Sequence, residues 1–304
     1  MKYEAIKAYS QEFSVVKMCK VLGLAQSAYY QWKRREDDRE KKREVERELI
    51  EYMRSIFDDN NKSYGYRRMC RKLNEDPAKL LALTASLPGY LMVPITEYKV
   101  RRLMQQNRLY PVTQTKYTPY RKGKGGGLFF DNLLNQEFDP LGPNEVWAGD
   151  ITYIKTVLGW VYLAVVVDLF NREIIGYVVS KTIDVELVKR ALCNALITTG
   201  GGGKNMVFHS DRGIQYSSKS FRKMLEDNCI TGSMSKPGCP YDNAPVESFF
   251  STAKRECIYR KEYGTIDEVR KDLYEYIELF YNRKRMHSSL GYKSPVEYRK
   301  AKAA

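Results

Sequence analysis

The sequence predicts two dissimilar parts: an all-α front with helix-turn-helix-type patterning, then an α/β part with a mixed five-stranded sheet and flanking helices. Three observations predict this. Apolar residues recur at helical spacing in the front, whereas from Val146 onward they fall in strand-length runs. A glycine- and lysine-rich stretch, 121–127, separates the two patterns. Charge is also unevenly divided: residues 1–130 carry 27 Lys/Arg against 15 Asp/Glu, and residues 131–304 carry 24 against 22.

The chain has 304 residues, enough for two or three domains, and its 43% hydrophobic content supports a sizeable core. A net charge of +14 favours a polyanionic partner, and the charge division makes the front the phosphate-binding half. The six cysteines, Cys19, Cys70, Cys193, Cys229, Cys239 and Cys257, form no C-x-x-C pair, and His209 and His287 are the only histidines. That pattern excludes a structural zinc module. No signal-peptide pattern is legible, so reduced thiols in a cytoplasmic protein are expected. The longest apolar run, Val161 to Val167, ends at Asp168 and is far too short to span a membrane.

In the front, residues 12–35 read as two short helices. Val15, Val16, Met18, Cys19, Val21 and Leu22 supply an apolar face to the first, Gly23 permits the reversal, and Ser27, Ala28, Tyr29, Tyr30 and Trp32 lie in the second. An ordinary helical hairpin reads the same way. The charge makes it a DNA-binding region (1–58), with Tyr30 as a candidate contact. Residues 33–57 form a charged helix whose Val45, Leu49, Tyr52, Met53 and Ile56 stripe is expected in the core. Helices beginning near Tyr64-Gly65-Tyr66 and at Glu97 carry Arg67, Arg68, Arg101 and Arg102, candidate DNA contacts of a second helical region (59–120). The apolar stretch from Leu80 to Ile95 between them has no functional reading. Residues 121–145 are expected to be a linker.

After it, Val146 to Thr156, Trp160 to Val167 and Arg172 to Ser180 read as three successive strands. Asp184 to Thr199 reads as a helix, followed by a glycine loop (200–203), a strand from Met206 to His209, a helix from Ser218 to Asp227 and a strand near Ile230. The turn-rich Lys236 to Tyr241 leads into a helix from Ala244 to Cys257. This succession suggests a sheet of the RNase H type in a core spanning 146–260. A helical extension (261–304) is expected to contain a helix from Ile266 to Asn282.

Three carboxylates stand out. Asp150 interrupts a good strand, which is locally inconsistent unless it is functional or faces water at an edge. Asp211 lies where an apolar strand gives way to Arg212-Gly213, where α/β folds project ligand groups and where turn aspartates are also common. Glu247 lies near a helix start for which Asn243 is a plausible N-cap, and the helix dipole favours a glutamate there in any case. Lys254, two turns on, is either a surface lysine or a cation for phosphate. His209 shares a face with Asp211, as a supporting or simply structural residue. Arg283, Lys284, Arg285 and His287 either touch DNA or complement a helix C-terminus.

Sixty residues separate Asp150 from Asp211, and 35 separate Asp211 from Glu247. With the words Trp147-Ala148-Gly149-Asp150-Ile151-Thr152-Tyr153, His209-Ser210-Asp211-Arg212-Gly213-Ile214-Gln215-Tyr216 and Tyr241-Asp242-Asn243-Ala244-Pro245-Val246-Glu247-Ser248-Phe249-Phe250, the chain closely resembles bacterial insertion-sequence transposases of the retroviral-integrase, D,D,35,E type. Within them it resembles the second-reading-frame class, over nearly its whole length. Tyr64-Gly65-Tyr66-Arg67-Arg68 and Tyr281-Asn282-Arg283 also fit.

The resemblance implies a polynucleotidyl transferase in which Asp150, Asp211 and Glu247 hold two Mg²⁺ ions, Mn²⁺ being able to substitute, with Asp150 bridging both. Converging carboxylates repel one another without metal, so such a site is incomplete without its ions. Water frees a 3′-hydroxyl at the element end, and that hydroxyl attacks a second phosphate. The implied partners are the element's terminal inverted repeats, target DNA, a second copy of the chain on paired ends, and a protein from an upstream frame; no sustained heptad is present here. The implied location is the bacterial cytoplasm, at the nucleoid. The chain departs from the family pattern at Cys239, where Asn is usual, and in the longer, more apolar 80–95 stretch. A catalytically silent DNA-binding regulator and a nuclease that cuts without joining are the alternatives.

Overall fold

A computed structural model describes residues 1–87, 89–112, 129–201, 205–237 and 239–303. The glycine-rich stretch 121–127, the end of the second front region, and Gly202 and Gly203 lie outside the described residues. The chain divides into two compact units, Met1–Pro111 and Val112–Ala304.

The first unit is helical: α1 (Lys2–Ala8), α2 (Val15–Leu22), α3 (Gln26–Asp59), α4 (Tyr66–Asn74), α5 (Pro77–Leu83) and α6 (Glu97–Gln106). Gly23 closes α2 in the left-handed conformation, which allows the reversal into α3. The expected short helix and the charged helix after it are one continuous helix of 34 residues, because no Gly or Pro interrupts 26–59. Ile6, Cys19 and Tyr29 form a small core with Tyr3, Met18 and Trp32. Farther along α3, Val45, Leu49, Met53 and Ile56 are buried as the stripe predicts. The unread 80–95 stretch is packing material: Leu80, Leu91 and Ile95 are buried. Asn74 exchanges two bonds with the Ile95 backbone, at 2.8 and 3.0 Å, tying that stretch to α4. Glu46, Tyr90 and Lys99 form a polar knot between α3 and α6.

The second unit contains β1 (Val146–Thr156), β2 (Gly159–Asp168), β3 (Ile174–Ser180), α7 (Val185–Thr199), β4 (Val207–Ser210), α8 (Lys219–Asp227), β5 (Thr231–Met234), α9 (Ala244–Glu256), α10 (Ile266–Tyr274) and α11 (Pro295–Ala303). The sheet order is β3-β2-β1-β4-β5, antiparallel through the first three strands and parallel from β1 to β4 to β5. Both faces are covered. Ala148, Ile154, Leu163 and Val165 pack with α9 and α10, while Trp147, Ala164 and Val166 pack with α7 and α8. Double burial explains why Val161 to Val167 reads as unbroken apolar sequence rather than alternation.

β3 starts at Ile174 rather than Arg172, since Arg172 takes a positive φ of 62° in the turn. At the other end of the unit, the expected helix to Asn282 changes to a π-helix over Glu275–Tyr281. Asn282 then bonds both backbone groups of Ile174, at 2.9 and 3.0 Å, and so satisfies the start of the sheet's edge strand. Among the described residues, no helix is long and apolar enough to cross a membrane.

Gly176 marks where α7 rests directly on β3. A Cβ there would lie 2.3 Å from the Ala191 carbonyl oxygen and 2.7 Å from the Ala195 nitrogen, both backbone atoms that cannot rotate away. Gly176→Ala is expected to destabilise the second unit by roughly 1–3 kcal/mol, as overpacking does. An unchanged chemical-denaturation midpoint would contradict this packing.

Candidate active site

Asp150 lies mid-β1, paired with Val165 of β2, on the face that carries Ala148 and Ile154. β4 runs parallel to β1 with Ala148 opposite His209 and Gly149 opposite Ser210. Continuing that register by one step sets Asp211 opposite Asp150, on strands ~4.8 Å apart. Asp211 is thereby the first residue beyond β4, and its Oδ1 accepts the Gly213 N–H at 2.9 Å. Asp150 is 8% exposed, and its Oδ1 accepts the Ile151 N–H.

The helix bearing Glu247 is fastened to the same strand. Asn243 stands at the N-cap position of α9 but makes no capping bond. Its Nδ2 donates instead to the Gly149 carbonyl at 3.3 Å, one residue before Asp150. Glu247 is exposed, one turn further along. Lys254 is buried, and burial pushes its ammonium down from the usual lysine range while the neighbouring Asp150 carboxylate opposes that shift. Asp150 and Asp211 thus lie on neighbouring strands and both act on the Tyr216 phenol, and Lys254 sits within reach of the Asp150 charge. Among the described residues, no three His, Cys, Asp or Glu side chains already form a metal-holding group. The donors that Asp150 and Asp211 offer are hard carboxylate oxygens, which suit Mg²⁺ rather than a soft metal.

Several neighbours were not singled out by sequence reasoning. The Tyr216 phenol is raised well above its usual range, first by burial and then by the Asp150 and Asp211 charges, so it stays neutral. A Cβ on Gly149 would lie 2.5 Å from the Phe208 ring and 3.3 Å from the Tyr216 hydroxyl, so the glycine lets these side chains approach the strand. Asp242 is 2% exposed and accepts from Asn132, Gln136 and the Lys236 N–H. Nothing in the local pattern of Tyr216 or Asp242 marks either one, because their partners are distant in sequence.

His209 is fully buried, with Nδ1 2.9 Å from Ser233 Oγ and Nε2 3.2 Å from Ser235 Oγ. The Leu133 N–H donates to the Ser233 oxygen at 3.0 Å, and the Ser235 hydroxyl donates to the Ser210 carbonyl at 3.4 Å, which fixes both serines beside the ring. Arg285 is not a DNA contact. It is 5% exposed and grips Glu256 with two bonds, at 2.8 and 2.9 Å, while Tyr276 donates to the same carboxylate. Arg283 and Lys284 remain exposed.

In the first unit, Arg67 and Arg101 both approach the Tyr66 ring, at 5.6 and 5.7 Å, and Arg67 also pairs with Glu97 at 3.9 Å. Arg68 lies over Tyr64, and Arg102 is exposed. Tyr30 is 46% exposed and stands edge-on to buried Tyr29.

An integrase core domain model matches residues 140–240, a second integrase core model matches 228–295, and a helix-turn-helix-like domain model matches 44–117. "Transposase InsF for insertion sequence IS3A" of Escherichia coli (strain K12) is 35% identical over 298 residues, covering 98% of each chain. "Transposase for insertion sequence element IS904" of Lactococcus lactis subsp. lactis (strain IL1403) is 36% identical over 269 residues, covering 86% of this chain and 98% of that one. A more distant likeness is to a chain in the cryoEM structure of a simian T-cell lymphotropic virus intasome in complex with PP2A regulatory subunit B56 gamma. That chain is 18% identical, with a TM-score of 0.45 and coverage of 73% and 74%.

Burial lowers the His209 imidazole to about 4 from an ordinary value near 6.5, against the opposing pull of Asp242 and Asp211. The unfolded chain therefore binds a proton that the folded one refuses. The contribution of neutral His209 is present above pH 6.5 and is lost as pH falls toward 4, by roughly 3 kcal/mol at the acid end. His209→Gln should flatten that part of the stability–pH curve in denaturant titrations, and an unaltered slope would contradict the neutral assignment.

Proposed function

The chain belongs to the IS3 insertion-sequence transposase family, and on that premise we propose that Asp150, Asp211 and Glu247 are its catalytic carboxylates, holding two divalent ions. The protein is a DNA transposase with an integrase core. The observation that carries the residue assignment is the β1–β4 register, which supports Asp150 and Asp211 acting as a pair. The tie from Asn243 to Gly149 supports Glu247 as the third member.

Mg²⁺ is the ion this donor set favours, with Mn²⁺ as a substitute. Bound there, the ions would activate an oxygen nucleophile and neutralise charge on the phosphate. Lys254, beside Asp150, offers a cation to the DNA backbone at the point of reaction. The reaction is cleavage at the 3′ end of the element, followed by attack of the freed 3′-hydroxyl on target DNA. No protein nucleophile is required, since water and then the DNA end supply the attacking oxygen.

In the first unit, Tyr30, Arg67, Arg68, Arg101 and Arg102 are the proposed DNA contacts, spread over helical regions 1–58 and 59–120. They precede a connecting segment expected as a linker at 121–145, of which Phe130, Leu134 and Phe138 pack on the core, then a catalytic core at 146–260 and an extension at 261–304. The paired placement of Arg67 and Arg101 around Tyr66 favours phosphate contact by that face. The substrates are the element's terminal inverted repeats and target DNA, handled by at least a dimer on paired ends. A protein from an upstream frame is a further partner, and the bacterial cytoplasm and nucleoid the place of action.

Asp150→Asn, Asp211→Asn and Glu247→Gln should each bind end DNA like the parent and lose strand cleavage and joining by about 10³-fold or more. A gel assay with labelled end DNA and Mg²⁺ measures both products. A variant that still cleaves removes its residue from the set. Tight binding with no chemistry in the unmodified chain, in Mg²⁺ and in Mn²⁺, would instead favour a silent DNA-binding regulator.

A further inference from the structure

Residues 130–136 form a strap across β5 and the turn that opens α9. The Phe130 ring covers Gly232 so closely that a Cβ there would lie 2.5 Å from it, and the Arg222 guanidinium stacks 4.1 Å from the ring centroid. The Met234 N–H donates to the Asp131 carbonyl at 3.3 Å. The Leu133 N–H donates to Ser233 Oγ at 3.0 Å, the hydroxyl that also meets His209 two residues before Asp211.

The strap also reaches the other carboxylate-bearing element. Asn132 Oδ1 accepts the Leu134 and Asn135 N–H groups, both at 3.0 Å, which fixes its own turn. So fixed, Asn132 Nδ2 donates to Asp242 Oδ2 at 2.8 Å, and Gln136 Nε2 donates to Asp242 Oδ1 at 3.0 Å. The Lys236 N–H completes the set at 2.8 Å. Asp242 is the penultimate residue of the 3₁₀ turn Pro240–Asn243, directly before α9. The next residue, Asn243, is tied to Gly149 on the opposite side. The start of α9 is therefore pinned from two directions, by β1 and by the strap.

We propose that Asn132 and Gln136 are positioning residues for DNA cleavage: through the Asp242 carboxylate they fix the start of α9, and with it the place of Glu247 relative to Asp150 and Asp211. The proposal rests on the reading of Glu247 as a catalytic carboxylate. A helix moves as a rigid rod over a single turn, so a shift at Asp242 carries directly to Glu247, and phosphoryl chemistry is sensitive to displacements of ~1 Å. Gln136 is exposed apart from this contact. Its removal therefore disturbs the position of the turn without opening a core.

The test uses the full chain as parent, Gln136→Ala, Asn132→Ala/Gln136→Ala, and Glu247→Gln. The probe is a labelled duplex carrying the DNA end that flanks the gene. Single-turnover cleavage across a Mg²⁺ titration is read beside duplex affinity and thermal melting. The double variant should cleave about tenfold more slowly and need several-fold more Mg²⁺ for half-maximal rate. Its affinity should stay within about twofold of the parent and its melting point fall while the chain remains folded at the assay temperature, with Gln136→Ala intermediate in rate. Parental rate and Mg²⁺ dependence in the double variant, with Glu247→Gln inactive, would overturn the inference. So would a loss of rate that merely follows a loss of folded protein. Cleavage by Glu247→Gln would instead overturn the underlying reading of that residue.

Discussion

The parallel pairing of β1 with β4 is the constraint on which the second unit depends. Each strand is apolar on both sides, so its register is set by which residues meet which helix layer. Trp147 must lie with α7 and α8, and Ala148 and Ile154 with α9 and α10. A slip of one residue would invert every side chain on the strand. That same register places Asp150 mid-strand on β1 and Asp211 just past the end of the neighbouring β4.

Placing two aspartates there has an electrostatic cost, and the surroundings show how it is met. Asp150 and Asp211 each take a backbone N–H, and the Lys254 ammonium lies beside Asp150. Two other titratable neighbours add no charge of their own. Burial keeps the Tyr216 phenol protonated and the His209 imidazole neutral, the latter held between two serine hydroxyls. Asp150 is thus set among a buried lysine and neutral polar groups. Farther away, charge serves a different purpose. Glu256 and Arg285 neutralise each other in the core and join α9 to the chain after the π-helix.

The first unit solves a different problem. Its helices are short and charged, apart from α3, and they present little apolar surface each. Polar ties therefore supplement the core: Asn74 to the Ile95 backbone, and Glu46 with Tyr90 and Lys99. They explain how an apolar stretch with no functional pattern, 80–95, is accommodated beside the exposed Arg67, Arg101 and Arg102.

The sequence by itself determined the two-part architecture and the strands, and it singled out three carboxylates by their spacing and flanking words. The reasons are local: periodicity records burial, Gly23 records a reversal, and the 35-residue gap with its flanking words survives without coordinates. It determined less wherever partners lie far apart in the chain. Residues 26–59 read as two helices but fold as one, and Asn243 looked like a cap and is instead a tie to Gly149, 94 residues away. Arg285 looked like a surface cation, but only the fold supplies the Glu256 that buries it. Residues 130–136 carried no periodic signal, since their role lies in single hydrogen bonds to Ser233 and Asp242, each about a hundred residues on. Local patterns encode which face of an element is buried; which two side chains then meet is decided by strand register and helix docking, quantities that exist only once the chain has folded.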